Sequence, residues 1–117
     1  MEIILAENHG FCYGVKRAVE MADEAANSEG KSYTLGPIIH NPQVVGRLES
    51  KGVSPIQEVA DIDEGTMIIR SHGVGPAIYA EAEEKGLHIL DATCPHVKKA
   101  QQDAKSVIED GMTLVIL

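Results

Sequence analysis

Tryptophan is absent from this 117-residue chain, phenylalanine occurs once, and tyrosine three times. So thin an aromatic complement argues against a surface built to stack unpaired bases. Basic charge is scarce too: Lys and Arg number 10 against 18 Asp and Glu, a formal net charge of −8. A duplex-binding protein needs a basic face to displace counterions, and Lys16-Arg17 and Lys98-Lys99 are the only adjacent basic pairs. No nucleic-acid partner is expected. No apolar run approaches the roughly 18 residues of a membrane span. Met1–Ala6 is followed by Glu7 where a signal peptide would carry its apolar core. The expectation is a soluble, cytoplasmic chain with no membrane partner. Cysteine is limited to Cys12 and Cys94. In that compartment they read as reduced thiols, catalytic groups or metal ligands in preference to a structural disulfide.

The mass of 12.6 kDa allows about two-thirds of the unfolded surface to be buried. That suffices for one domain, or one domain and a piece of another. Gly30, Gly52, Gly86 and Gly111 each follow a polar, helix-like stretch and precede an apolar one, as glycines do just past a helix C-terminus. Apolar residues recur at helical spacing in Val15, Ala18, Val19, Ala22 and Ala26, and again in Val97, Ala100, Ala104, Val107 and Ile108. Shorter helices fit Pro42 to Ser50 and Pro76 to Lys85. Strands fit Met1–Ala6, Tyr33–Leu35, Met67–Ile69, Leu87–Leu90 and Met112–Leu117, with an extra extended piece at Val53–Ile56. Strands that alternate with helices lie parallel, so the expected fold is an α/β parallel sheet.

Cys12, His40, His72 and Cys94 all fall in strand-to-helix loops of this scheme. In a parallel sheet such loops share the face at the carboxyl ends of the strands, where open α/β proteins bind ligands. Asn41-Pro42, Gly75-Pro76 and Cys94-Pro95 each set an N-cap-compatible residue before a proline suited to the first helical position. Helix N-termini of this kind favour thiolates and phosphates. Taken singly, each Cys reads as an inert buried residue and each loop His as a solvated one. Their joint placement is what points to a site. His9, His88 and His96 read as structural, Lys16, Arg17 and Arg70 as surface ion-pairing groups, and Glu81, Glu83 and Glu84 as a solvated helix face. Two functions stay open from the residues alone: a phosphate-binding α/β module without redox chemistry, and a zinc-stabilised interaction domain using Cys12, His40, His72 and Cys94, which lack the tight Cys-x-x-Cys spacing of a zinc finger.

Four motifs narrow the choice: GFCYGVKRA at residues 10–18, GPIIHNPQVV at 36–45, RSHGV at 70–74 and DATCPHVKK at 91–99. In kind and order they resemble the N-terminal part of the 4-hydroxy-3-methylbut-2-enyl diphosphate reductases, the LytB/IspH family, over nearly the whole chain. The resemblance implies an iron–sulfur oxidoreductase of the non-mevalonate isoprenoid pathway. Such an enzyme removes the hydroxyl of an allylic diphosphate to give isopentenyl and dimethylallyl diphosphate, with electrons from an external donor such as ferredoxin or flavodoxin. It implies three similar α/β domains around a [4Fe–4S] cluster, each giving one cysteine. Cys12 and Cys94 match two cluster ligands, and the third has no counterpart in this chain. His40 and His72 match histidines that hold the substrate diphosphate, while the family's proton-delivering glutamate falls beyond Leu117, so no catalytic acid is expected here. By the same resemblance, residues 1–94 form the first domain, and 95–117 open the second. The strand 1–6 belongs either to the first domain or to another one. The chain therefore reads as an N-terminal fragment, inactive by itself.

Overall fold

The computed structural model describes residues 1–116. Four strands, β1 (Ser32–Leu35), β2 (Val53–Ile56), β3 (Thr66–Ile69) and β4 (His88–Asp91), make one sheet in the order β2-β1-β3-β4, and every neighbouring pair is parallel. The strands start level, with Ser32 opposite both Val53 and Thr66, and Thr66 opposite His88. Helices α1 (Tyr13–Ala26), α2 (Pro42–Glu49), α3 (Pro76–Glu84) and α4 (Pro95–Glu109) alternate with them, and a 3-10 turn at Val59–Asp61 lies between β2 and β3. The expected parallel α/β sheet is therefore what forms.

The two-residue period of β3 sorts its side chains between two cores. Ile68 packs with Ala18, Val19 and Ala22 of α1, Leu48 of α2 and Val53 of β2. Met67 and Ile69 face the other way, onto Ala82 of α3, Leu35, Ile62 and Leu87. All three β3 residues are fully buried, as a central strand covered on both faces requires. At about 25 cal/mol per Å² of apolar surface, each contributes roughly 2 kcal/mol.

Two expected strands do not form. Met1–Ala6 has no strand partner among the described residues, and Ile3, Ile4 and Leu5 are at least three-quarters exposed. The apolar pattern suits a strand, but a strand needs a neighbouring edge to satisfy its backbone groups, and here no edge lies alongside it. Residues 112–116 are likewise not in a strand, and Leu117, the last residue of that expected element, lies outside the described residues. The glycines are corrected in part. Gly86 and Gly111 stand one residue past the C-caps Lys85 and Asp110 with φ of 70° and 74°, the left-handed conformation expected of them. Gly30 lies three residues beyond its C-cap Asn27, and Gly52 two beyond Ser50, so they serve the following turns instead. α4 contributes no buried residue. The chain exposes 8148 Å², against about 6,200 Å² for a compact protein of its mass.

Candidate functional site

The chain leaves β1 through α2, which packs on one face of the sheet, and leaves β3 through α3, which packs on the other. Because β1 and β3 are neighbours, their following loops part to opposite sides and open a crevice at the carboxyl ends of the strands. This reversal is where doubly wound sheets bind ligands. His40 lies on the loop after β1 and His72 on the loop after β3. Their rings stack across the opening with centroids 5.7 Å apart and planes 25° apart. Both residues are exposed to an incoming ligand. The loops are built for this: Asn41 caps α2 by accepting a hydrogen bond from Val44 N–H at 3.1 Å, and Gly75-Pro76 opens α3.

An open cavity of about 1110 Å³ continues from His72 past Gly36, Arg70, Gln101 and Lys105. Among the described residues Arg70 makes no ion pair. Its Nε is buried without a hydrogen-bond partner among the described residues, and its Nη1 lies 2.9 Å from where a Cβ on Gly36 would stand. Gly36 also has φ of +69°, and this left-handed backbone is what favours glycine there. The expectation that Arg70 is a surface ion-pairing group is thus corrected. Lys16 keeps that role through an exposed 3.9 Å pair with Glu20, whereas Arg17 turns inward and donates to the Thr93 carbonyl at 3.4 Å. His88 lies at the start of β4 with Nδ1 3.4 Å from Thr66 Oγ1, and His9 Nδ1 approaches the Ala6 carbonyl at 2.9 Å.

The two cysteines are free thiols, Cys12 exposed and Cys94 half-buried. Cys12 was expected to follow a strand, but with Met1–Ala6 unpaired it simply precedes α1 as its N-cap, as Cys94 precedes α4. Neither side chain makes a capping hydrogen bond. α1 starts against the Cys94 turn: a Cβ on Gly14 would fall 2.5 Å from Cys94 Sγ and 2.8 Å from its Cβ. The first turn of the helix that Cys12 caps thus touches the second thiol. Cys94 is joined in turn to the histidine loop, since its N–H donates to the Ser71 carbonyl at 2.9 Å.

Two unbridged thiols, both at helix N-termini, suit an iron–sulfur cluster, whose irons take soft thiolate ligands. The glycine at position 14 lets the backbone of α1 pack directly against the Cys94 sulfur. The chain has no third cysteine. The zinc arrangement of Cys12, His40, His72 and Cys94 finds no support: among the described residues no three His, Cys, Asp or Glu side chains are grouped to hold a metal ion.

Asp91 was not singled out from the sequence. Its carboxylate accepts from Thr93 N–H at 2.9 Å and Tyr79 O–H at 3.0 Å, and pairs with Lys98 Nζ at 2.6 Å. Burial works against its ionisation, but Lys98, Thr93 and Tyr79 outweigh it and lower its pKa to about 2. Burial also raises the Tyr79 hydroxyl above its ordinary range, opposed by Thr93 and reinforced by Asp91. The Thr93 hydroxyl is buried beside this group without an aligned hydrogen-bond partner. The signal available in the sequence was the Asp-x-Thr spacing, which lets a carboxylate accept from the N–H two residues on.

The fold and these loops define a class: a doubly wound parallel α/β segment whose switch-point crevice presents paired imidazoles, with the Cys94 turn hydrogen-bonded to the loop that carries one of them. The chain belongs to the LytB protein family, whose model matches residues 3–117. It is similar to curated proteins named 4-hydroxy-3-methylbut-2-enyl diphosphate reductase. The one from Pelobacter propionicus is 56% identical and the one from Geobacter sulfurreducens 55%, each over 117 residues. Each alignment covers 100% of this chain and 42% of the relative, so the chain spans about two-fifths of their length. A solved structure of (E)-4-hydroxy-3-methyl-but-2-enyl diphosphate reductase, the terminal enzyme of the non-mevalonate pathway, matches with a TM-score of 0.81 and 50% identity, over 93% of this chain and 39% of that one. The corresponding reductase structure from Plasmodium falciparum matches with a TM-score of 0.84 and 33% identity, over 89% and 33%.

Proposed function

We propose that this chain is the diphosphate-holding and cluster-ligating N-terminal part of a 4-hydroxy-3-methylbut-2-enyl diphosphate reductase. The observation that carries the reading is the stacked pair His40 and His72 at the switch-point crevice, tied through Ser71 to the Cys94 turn. The net reaction consumes an allylic alcohol diphosphate, two electrons and two protons, and releases water with isopentenyl or dimethylallyl diphosphate. Cys12 and Cys94 would hold part of a [4Fe–4S] cluster, which when bound would supply the electrons one at a time. The electrons come from a small external carrier such as ferredoxin or flavodoxin.

The residues of this chain bind and orient. Ring N–H groups of His40 and His72 donate hydrogen bonds to the diphosphate, charge-assisted through its anionic oxygens. The N-terminus of α2, two residues past His40, adds a positive dipole end. The stacked rings fix the spacing of the two donors, which places the diphosphate and so the carbon bearing the hydroxyl. The acid that protonates the product lies outside this chain. Residues 1–94 act as the first domain and 95–117 as the opening of the second, a division supported by the lack of buried residues in α4. The exposed segment 1–6 pairs with a sheet of another domain.

The test is iron and acid-labile sulfide analysis of anaerobically prepared full-length protein, followed by anaerobic turnover with a reduced donor. Iron with sulfide, and formation of both isomeric diphosphates, are expected. Zinc without sulfide, or no conversion of the allylic diphosphate by iron-loaded protein, overturns the reading.

A further inference from the structure

The Cys94 turn is held from four directions. The Asp91 carboxylate accepts Thr93 N–H, Arg17 donates to the Thr93 carbonyl, Cys94 N–H donates to Ser71, and Gly14 backs the sulfur. Only the first comes from a side chain that also reaches two helices. Asp91 Oδ2 takes the hydroxyl of Tyr79 on α3 and the ammonium of Lys98 in the first turn of α4. The side chain of Asp91 is 22% exposed, so both oxygens depend on these partners, and without the carboxylate the Thr93 N–H and Tyr79 O–H would be left unmatched. Cys94 itself offers α4 no capping bond, so the helix start is located by Asp91 through Thr93 and Lys98.

We infer that Asp91 is a positioning residue that fixes the Thr93–Cys94 turn, so that the Cys94 thiol is presented ready-placed to the cluster and in register with the His72 loop. The inference rests on the reading of Cys94 as a cluster ligand. Its energetic logic is preorganisation: a ligand already held in its bound geometry loses little freedom when the metal arrives, and outer partners of this kind tune metal retention. Asparagine at 91 would keep an oxygen acceptor for Thr93 N–H while losing the charge that pairs with Lys98. Alanine would lose both.

The experiment uses the full-length, cluster-loaded protein under anaerobic conditions. It follows two readouts, loss of cluster absorbance to an iron chelator and hydrogen exchange of residues 92–94. Asp91→Ala should speed cluster loss at least fivefold and exchange at 92–94 at least tenfold, leaving exchange in the middle of α1 unchanged. Asp91→Asn should recover most of both. Cys94→Ser serves as the reference and should abolish cluster retention. If Cys94→Ser keeps its cluster, the reading of that thiol fails. If Cys94→Ser loses it but Asp91→Ala retains it at the unsubstituted rate, the positioning role alone is overturned. Equal damage from Asn and Ala also overturns it, since that result assigns Asp91 only its ionic role toward Lys98 of α4.

Discussion

Cys12 and Cys94 occupy the same formal position, the N-cap of a helix, in two differently built turns. Before Cys12 the chain is exposed back to Met1, and the local tie is that of His9 to the Ala6 carbonyl. Before Cys94 the chain has just left β4, and Ala92 and Thr93 are buried beneath the sulfur. The difference teaches that the same helix position can be fixed in two ways. One, at Cys94, is fixed by the sheet it follows, and the other, at Cys12, has only a local tie. The stacked histidines belong to the first kind, because the strands that aim them are central ones, covered on both faces.

The largest effect should come from crowding the contact that joins the two turns. Gly14→Val adds atoms where Cys94 Sγ already stands 2.5 Å from a Cβ position. It should cost about 1–3 kcal/mol and displace the Cys94 turn, seen as a lower melting midpoint and shifted Thr93 and Cys94 amide resonances. A variant as stable as the unsubstituted chain would mean that the two turns are not in contact.

A smaller effect sharpens the contrast through pH. The Asp91 pKa of about 2 in the fold lies below its ordinary 3.8, so the ionised form is favoured by folding. The stability it contributes is present above about 3.8 and is lost as pH falls through about 2. Asp91→Asn should therefore lower stability near neutral pH by on the order of 1 kcal/mol, discounted for the half-exposed Lys98 partner. That gap should close between pH 4 and 2. Parallel denaturation curves at each pH check it, and a gap that persists unchanged at pH 2 would remove Asp91 from the account. At the small end, Lys16→Ala, close to Cys12 in sequence, breaks only an exposed pair 3.9 Å long. It should change stability by less than about 0.5 kcal/mol. A larger loss would show that the Cys12 turn is held more firmly than its exposure suggests.

The sheet and the histidine pairing were legible in the sequence because their causes are local and repeated: apolar runs of strand length, Asn41-Pro42 and Gly75-Pro76 at helix starts, and the rule that parallel strands send their loops to one face. What was not legible depends on partners distant in the chain. The apolar residues of Met1–Ala6 carry a strand pattern, but whether a strand forms depends on an edge elsewhere. Asp91 looks like a strand-end carboxylate until Tyr79, 12 residues earlier, folds over it. Val53–Ile56 reads only as an extra extended piece, yet it is an edge strand beside β1, where among the described residues it has no second neighbour and Pro55, which cannot donate, is tolerated. Arg70 turned inward for a reason no charge count contains, the space left by Gly36.

The central claim is that His40 and His72 form one diphosphate clamp, and inorganic pyrophosphate measures it most directly. Calorimetric titration of the protein and of its His72→Ala and His88→Ala variants isolates the pair, since His88 lies on β4 away from the crevice. The account predicts at least a tenfold loss of affinity for His72→Ala, the value of one charge-assisted hydrogen bond of about 1.5 kcal/mol or more, and no change for His88→Ala. Equal affinities in all three proteins, or equal losses in both variants, would contradict it.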